Sequence, residues 1–136
     1  MSKRILGISI IALIVAIAIF HYVATIYHIY WIFVWTDVFV HFAGGLWIAL
    51  ASYWIFRFWR VHTGELSRTY LWLIMVGSAF LVGVLWELFE YHFGIIQYSA
   101  SYPLDTFLDI TMDVLGAGVG FFLLNLKKLA YIHNVS

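Results

Sequence analysis

Four long apolar stretches constrain the fold of this 136-residue chain more than any other feature. They occupy residues 5–27, 37–58, 70–92 and 104–126. Each has about the 20 mainly apolar residues that an α-helix needs to cross the hydrocarbon core of a bilayer. Lipid offers the backbone no hydrogen-bond partners, and four segments are too few for a barrel. We therefore expect an all-α fold, a single domain over residues 1–136 that forms a four-helix transmembrane bundle.

The composition also indicates that lipid surrounds much of the chain, and it excludes several function classes. The chain is 65% hydrophobic and 10% charged, whereas a soluble domain has about 25% charged residues. A net charge of zero leaves no basic patch of the kind that binds nucleic acid, so no nucleic-acid partner is expected. The absence of cysteine excludes disulfides and thiolate metal sites. Membrane lipids are the partners that this composition predicts.

The basic residues predict the orientation. They fall before the first stretch, between the second and third, and after the fourth: Lys3, Arg4, Arg57, Arg60, Arg68, Lys127 and Lys128. The connections 28–36 and 94–103 contain no lysine or arginine. Because basic loops stay in the cytoplasm, both termini are predicted to be cytoplasmic in a multi-pass protein of the inner or plasma membrane. The first stretch lacks a small-residue cleavage site, and we expect it to be retained as an anchor.

The acidic residues gather at the opposite ends of the stretches. Six of the seven lie there: Asp37, Glu87, Glu90, Asp105, Asp109 and Asp113. An ionisable group within a span costs about 2.5–3.5 kcal/mol on insertion scales and usually marks a pathway, a relay or a ligand site. His41 follows Asp37 by four residues, so the two share a helix face. We expect the inner faces of all four helices to converge on one outward pocket at this end.

So many like charges in a small volume repel, so either several carboxyls carry a proton or a cation neutralises them. Carboxylates with an imidazole suit zinc, manganese or iron, and an all-oxygen subset suits magnesium or calcium. A divalent-metal cofactor is the first hypothesis. The alternative is a purely structural role, in which protonated acids hold the helices together. The predicted ligands are His41, Glu87, Glu90, Asp109 and Asp113, with Asp37 and Asp105 as further candidates at the helix ends.

Three functions follow from this cluster. The first is a metal-dependent hydrolase or transferase that acts on lipids or lipid-linked envelope precursors, with Glu87 as general base. The second is a cation or proton transporter that uses the acidic cluster. The third is a metal-binding membrane subunit without enzymatic activity. The sequence leaves open whether the chain is an enzyme.

Gly116 and Gly120 form a Gly-x-x-x-Gly step in the fourth stretch. Such a step lets two helices approach closely, within one subunit or between two. Packing within the chain and a homo-oligomer that associates through this face therefore both remain open.

Three short motifs at the acidic residues carry a family resemblance. They are Asp37-Val-Phe-Val-His41-Phe42, Trp86-Glu87-Leu-Phe-Glu90 and Asp105-Thr-x-x-Asp109-x-x-x-Asp113-x-x-Gly116. In this order they resemble the VanZ-like and YjdF-like families, which are short polytopic helical membrane proteins. The resemblance implies a helical membrane fold and supports these residues as the site, but it supplies no reaction.

Overall fold

The computed structural model describes residues 3–33, 35–59, 67–94 and 102–133. Within these ranges every regular element is a helix, and four helices are long and apolar enough to cross a membrane. The all-α, four-helix fold class is therefore confirmed. The connection that contains Arg60 and most of the connection between the last two helices lie outside the described residues. The helices are α1 (Lys3–Ile26), α2 (Ile29–Ile32), α3 (Trp35–Trp59), α4 (Arg68–Phe93) and α5 (Tyr102–His133).

The ends of α4 follow ordinary helix-capping chemistry. The Ser67 hydroxyl accepts a hydrogen bond from the backbone N–H of Tyr70 at 3.2 Å, as an N-cap residue does. At the other end Gly94 has a left-handed backbone (φ 63°), and its N–H reaches the carbonyl of Glu90. These caps fix the length of α4, and with it the depth at which its two glutamates lie.

The connection between α1 and α3 contains one helical turn, α2, that the sequence did not predict. The chain enters it through His28, which has a left-handed backbone (φ 54°) that non-glycine residues seldom adopt. The hydroxyl of Tyr30 on this turn and Nδ1 of His21 form a hydrogen bond of 2.7 Å. The aromatic connection is therefore folded back against the end of α1.

The bundle consists of a three-helix core and one peripheral helix. α3 lies at the centre and packs against α5, α4 and α1, and α4 packs against α5. Among the described helices, α1 contacts only α2 and α3, and the Trp47 indole on α3 donates a hydrogen bond of 3.1 Å to the Ile10 carbonyl. The expectation that all four helices converge on one pocket is thus wrong. α1 contains no carboxylate to bring to the site, so packing on α3 alone leaves its other sides to lipid.

Small residues set the close approach of α3 and α5. A Cβ at Gly116 would overlap the Phe42 carbonyl oxygen, and one at Gly120 would lie 3.2 Å from Leu46 Cδ1. The Gly-x-x-x-Gly step therefore makes a close helix contact within the chain. A homo-oligomer through the same face stays a prediction.

The three-helix core has two chemically different halves. The apolar half is built from the buried residues Ala49, Met75, Val76, Ala79 and Ala117. The acidic half contains four buried ionisable side chains: His41, Glu87, Asp109 and Asp113. It lies towards the start of α3 and α5 and the end of α4.

Candidate functional site

Each of the three core helices contributes to the acidic half. α3 supplies His41 one turn after Asp37, α4 supplies Glu87, and α5 supplies Asp109 and Asp113. The four inner residues are 3–7% exposed, whereas the Asp37 side chain is 41% exposed. The site is therefore closed on the side of the bundle interior, and Asp37 lies at its opening.

His41 lies between carboxylates on both sides of its ring. Its Nδ1 lies 3.2 Å from Oδ2 of Asp113, within hydrogen-bond distance. Its Nε2 lies 4.0 Å from an oxygen of Asp37 and 4.0 Å from Oε1 of Glu87. A neutral imidazole that donates its Nδ1 proton to Asp113 has its lone pair on Nε2. That lone pair then points towards the side of the site where Asp37 and Glu87 lie.

Three possible ligand atoms lie close together in the acidic half. One oxygen of Asp37, one ring nitrogen of His41 and one oxygen of Asp109 all lie within 4.8 Å of one another. Two oxygens of the acidic half, Oδ1 of Asp109 and Oε1 of Glu87, are buried without a hydrogen-bond partner among the described residues. Buried polar atoms are seldom left unpaired, because desolvation without a compensating bond is costly. Asp37, His41 and Asp109 are therefore a group that could hold a metal ion.

Glu87 is held in one orientation. The hydroxyl of Thr106 on α5 donates a hydrogen bond of 2.7 Å to Oε2 of Glu87. The second carboxylate oxygen, Oε1, is the unpaired atom that faces His41. Thr106 therefore orients the carboxylate and leaves Oε1 without a hydrogen-bond partner among the described residues.

Glycines surround Asp113. A Cβ at Gly83 would overlap Oδ2 of Asp113, and one at Gly45 would overlap the Asp113 backbone. A Cβ at Gly44 would lie 3.8 Å from the other carboxylate oxygen. The missing side chains of α3 and α4 thus make the space in which Asp113 reaches His41.

Sequence reasoning missed Thr106 and these glycines, although the spacing contained a signal for each. Gly45 follows His41 by four residues, and Gly83 precedes Glu87 by four, so each shares a helix face with a site residue. Thr106 follows Asp105 directly and precedes Asp109 by three. Small and hydroxyl-bearing residues at i±3 and i±4 from a buried acid are the pattern that could have found them.

Four of the seven predicted ligands lie outside the three-residue group. Glu87 and Asp113 are close to His41, whereas the other two, Glu90 and Asp105, have different surroundings. Glu90 is half-buried, and the side chain of Trp86 hydrogen-bonds to it. Asp105 is half-buried in the first turn of α5, where a negative charge favours the helix dipole. The structure therefore brings together Asp37, His41 and Asp109, with Glu87 and Asp113 in contact with His41.

Tyr30 borders the opening of the site from α2. Burial, together with the charges of Asp37 and Glu90, raises the pKa of its hydroxyl to about 12. The phenol therefore stays protonated at any physiological pH, and it offers a neutral donor near the acidic residues.

Comparison with known proteins places the chain in a family but not near a characterised member. Neither the curated proteins nor the solved structures contain a match. A family model described as "predicted membrane protein (DUF2238)" matches residues 4–128, nearly the whole chain. The narrower resemblance to VanZ-like and YjdF-like proteins stays a prediction. The chain belongs to the DUF2238 family of predicted membrane proteins.

Proposed function

We propose that the acidic half binds a divalent metal ion through Asp37, His41 and Asp109, and that the chain uses it to hydrolyse membrane lipids or lipid-linked substrates. The observation that carries the proposal is the donor group within 4.8 Å beside the two unpaired buried oxygens. An acidic cluster alone would not suffice, because protonated carboxyls also pack helices. Carboxyls that only held helices together would be expected to hydrogen-bond each other, whereas these oxygens have no hydrogen-bond partner among the described residues.

The donor set suits zinc best among the metals that the sequence suggested. Zinc binds imidazole and carboxylate at about 2.0–2.2 Å, so the ligand atoms around it lie about 3.4 Å apart. The three candidate ligand atoms lie within 4.8 Å of one another, so the side chains would need to move inward by at most about 1 Å to bind zinc. Three protein ligands with a fourth position open is the arrangement of catalytic zinc sites. Manganese or iron would accept the same donors, and magnesium would prefer an all-oxygen shell.

Asp113 has the role of an orienting residue in this proposal. A histidine that binds a metal commonly donates its other ring N–H to a carboxylate, which fixes the ring and raises its basicity. The 3.2 Å contact between His41 Nδ1 and Asp113 fits that arrangement. The sequence predicted Asp113 as a direct ligand, whereas in this proposal it orients the ligand His41.

Glu87 has the role of general base. A metal in this position supplies Lewis-acid polarisation of a substrate oxygen and lowers the pKa of a bound water. Oε1 of Glu87 is buried without a hydrogen-bond partner among the described residues and lies 4.0 Å from Nε2 of His41, so it would be the group that takes the proton of a water in the site. With a hydroxyl group in place of water, the same residues would support a transferase.

The apolar half favours this reading over a cation or proton transporter. Beneath Asp113 the described core is filled by Met75 and by alanines of all three helices. A transport path needs polar groups or water to continue through the membrane. A metal-binding subunit without activity would share the same ligands, and only a measurement of turnover separates it from the enzyme.

In the proposed orientation the chain is a multi-pass protein of the inner or plasma membrane, with both termini in the cytoplasm. Arg4, Arg57 and Arg68 lie at the ends of their helices away from the acidic half. The positive-inside rule then directs the opening at Asp37 to the outer face. The resemblance to VanZ-like and YjdF-like proteins supports the same site residues.

Two glutamates of α4 give a matched test. Glu87→Gln should retain zinc and lose at least about 100-fold in lipid hydrolysis, which is the usual contribution of a general base. Glu90→Gln, three residues away and outside the ligand group, should retain both properties. Zinc content is measured by mass spectrometry and hydrolysis by product release from liposomes. Equal turnover of the two variants would remove Glu87 from the reaction, and bound zinc without turnover in the wild type would favour the non-enzymatic subunit.

A further inference from the structure

A groove of about 270 Å³ runs between α4 and α5 beside the acidic half. Four of its six lining residues are apolar or aromatic, and two are polar residues of the site. They are Val84, Glu87, Leu88, Tyr91, Thr106 and Ile110. Glu87 thus belongs both to the groove and to the contact with His41. The groove therefore lies on the outside of the bundle and borders the acidic half at Glu87.

Lipid is the solvent on that side of the molecule. Both α4 and α5 have the length and composition of membrane spans. Among the described helices α1 contacts neither α4 nor α5, so it does not cover the seam. Among the described residues, the groove is thus on a lipid-facing side of two membrane spans, and a lipid is the occupant that its surroundings supply.

The seam continues towards the apolar half. A second groove of about 380 Å³ is lined by α4 residues such as Val76 and α5 residues such as Val114 and Gly118. Ile110 of the first groove and Val114 of the second lie one helical turn apart. From Glu87 to Val76 the helix rises about 16 Å, close to the roughly 15 Å thickness of one hydrocarbon leaflet. The two grooves together match the length of a lipid chain.

The depth of Glu87 identifies the part of the lipid that meets the site. α4 has 26 residues and is about 39 Å long, nearly the 40–45 Å of a bilayer with its headgroups. Glu87 is six residues from the end at Phe93, or about 9 Å below it. The interfacial layer is roughly 5–8 Å thick on each side. Glu87 and Thr106 therefore lie where hydrocarbon begins, which is the level of the acyl esters of a glycerolipid.

We infer that the α4–α5 groove is a lateral entrance for a glycerolipid, whose acyl chain lies along the seam and whose ester reaches Glu87 and the candidate metal site. The inference rests on the proposed function and names its substrate class. In the reaction, the oxygen of a water molecule adds to the ester carbonyl carbon and Glu87 takes the water proton. The bond between that carbon and the glycerol oxygen then breaks, and the glycerol oxygen receives the proton. The products are a fatty acid and a lipid with one chain fewer.

The test uses a phosphatidylcholine with a photoactivatable diazirine midway along one acyl chain, in bilayers that contain the full-length protein. Labelled peptides are identified by mass spectrometry in the wild type, Val84→Trp and Val82→Trp. Val84 lines the groove, whereas Val82 is exposed on the same helix and lines neither groove. Zinc content and the release of fatty acid and of phosphate esters are measured on the same samples.

We expect labelling to concentrate on α4 and α5 around the groove and to fall about tenfold in Val84→Trp but not in Val82→Trp, because the indole fills the space for the chain. Uniform labelling around the bundle, or labelling that Val84→Trp leaves unchanged, would overturn the lateral entrance, and retained zinc would then leave the metal site standing. Groove labelling by a wild type that binds no zinc would instead overturn the proposed function and the ester chemistry with it. Release of a phosphate ester without fatty acid would overturn the acyl ester as substrate.

Discussion

The two halves of the three-helix core fill the same space between α3, α4 and α5 with opposite chemistry. In the apolar half, alanines and Met75 pack with no polar atom to satisfy. In the acidic half, glycines open a space in which Asp113, His41 and Glu87 are buried together. The first arrangement is the inexpensive way to hold helices together in lipid, where small residues permit close packing. The second bears the cost of buried ionisable groups, a cost that the proposed metal ion would offset.

Met75→Ala should separate the halves most clearly. Met75 is 1% exposed at the centre of the apolar half, and its truncation should cost about 2–5 kcal/mol of unfolding free energy through the cavity it leaves. Zinc affinity should stay at the wild-type value, because no ligand lies in that half. The unfolding transition in mild detergent and a zinc titration of the same sample measure both effects. A parallel loss of zinc affinity in the folded variant would show that the halves are coupled.

Asp113→Asn tests the acidic half from within. If Asp113 orients His41, its substitution by the isosteric amide should weaken zinc binding about 10–100-fold without abolishing it. Asp105→Asn on the same helix should leave the affinity unchanged, since Asp105 lies outside the ligand group. Both affinities come from calorimetric titration with zinc. Complete loss of binding in Asp113→Asn would make Asp113 a direct ligand.

Gly116→Ala tests the close approach of α3 and α5 with the smallest change. The added Cβ would overlap the Phe42 carbonyl oxygen, and overpacking of this kind costs about 1–3 kcal/mol. Gly118→Ala is the matched control, because no atom lies within 4 Å of a Cβ at that position. Its helix propensity gain of about 1 kcal/mol should leave it as stable as the wild type or more so. Thermal unfolding of the two variants in detergent measures the difference, and equal midpoints would contradict the helix approach described here.

Most of the fold could be predicted from the sequence because one physical requirement dominates it. A span in lipid must be a helix of about 20 residues, and this fixes the number of long helices and their approximate positions. The peripheral place of α1 could not be predicted, because an apolar helix satisfies the same pattern whether it packs on one neighbour or on three. The helical turn α2 is too short to give a periodic signal.

The site was predictable as a set of residues but not as a geometry. Buried acids are so costly in a span that Glu87, Asp109 and Asp113 were identifiable from position alone. Which acids can bind the same ligand depends on the rotation of each helix about its axis. Glu87 and Glu90 are less than one helical turn apart, so the sequence alone does not separate them. The sequence therefore included Asp37, Glu90 and Asp105 among the candidate ligands, whereas of these three the structure brings Asp37 alone into the described group.

The zinc content of the purified protein is the most direct test of the proposed metal site. The protein is prepared in mild detergent without chelator, and its metal content is measured by mass spectrometry beside Asp109→Asn. X-ray absorption at the zinc edge then reports the ligand types. We expect about one zinc per chain, bound by one imidazole and otherwise by oxygen ligands. We expect the zinc to be lost in Asp109→Asn. A wild type that stays empty after incubation with zinc and with manganese, or zinc that Asp109→Asn retains in full, would contradict the proposed metal site.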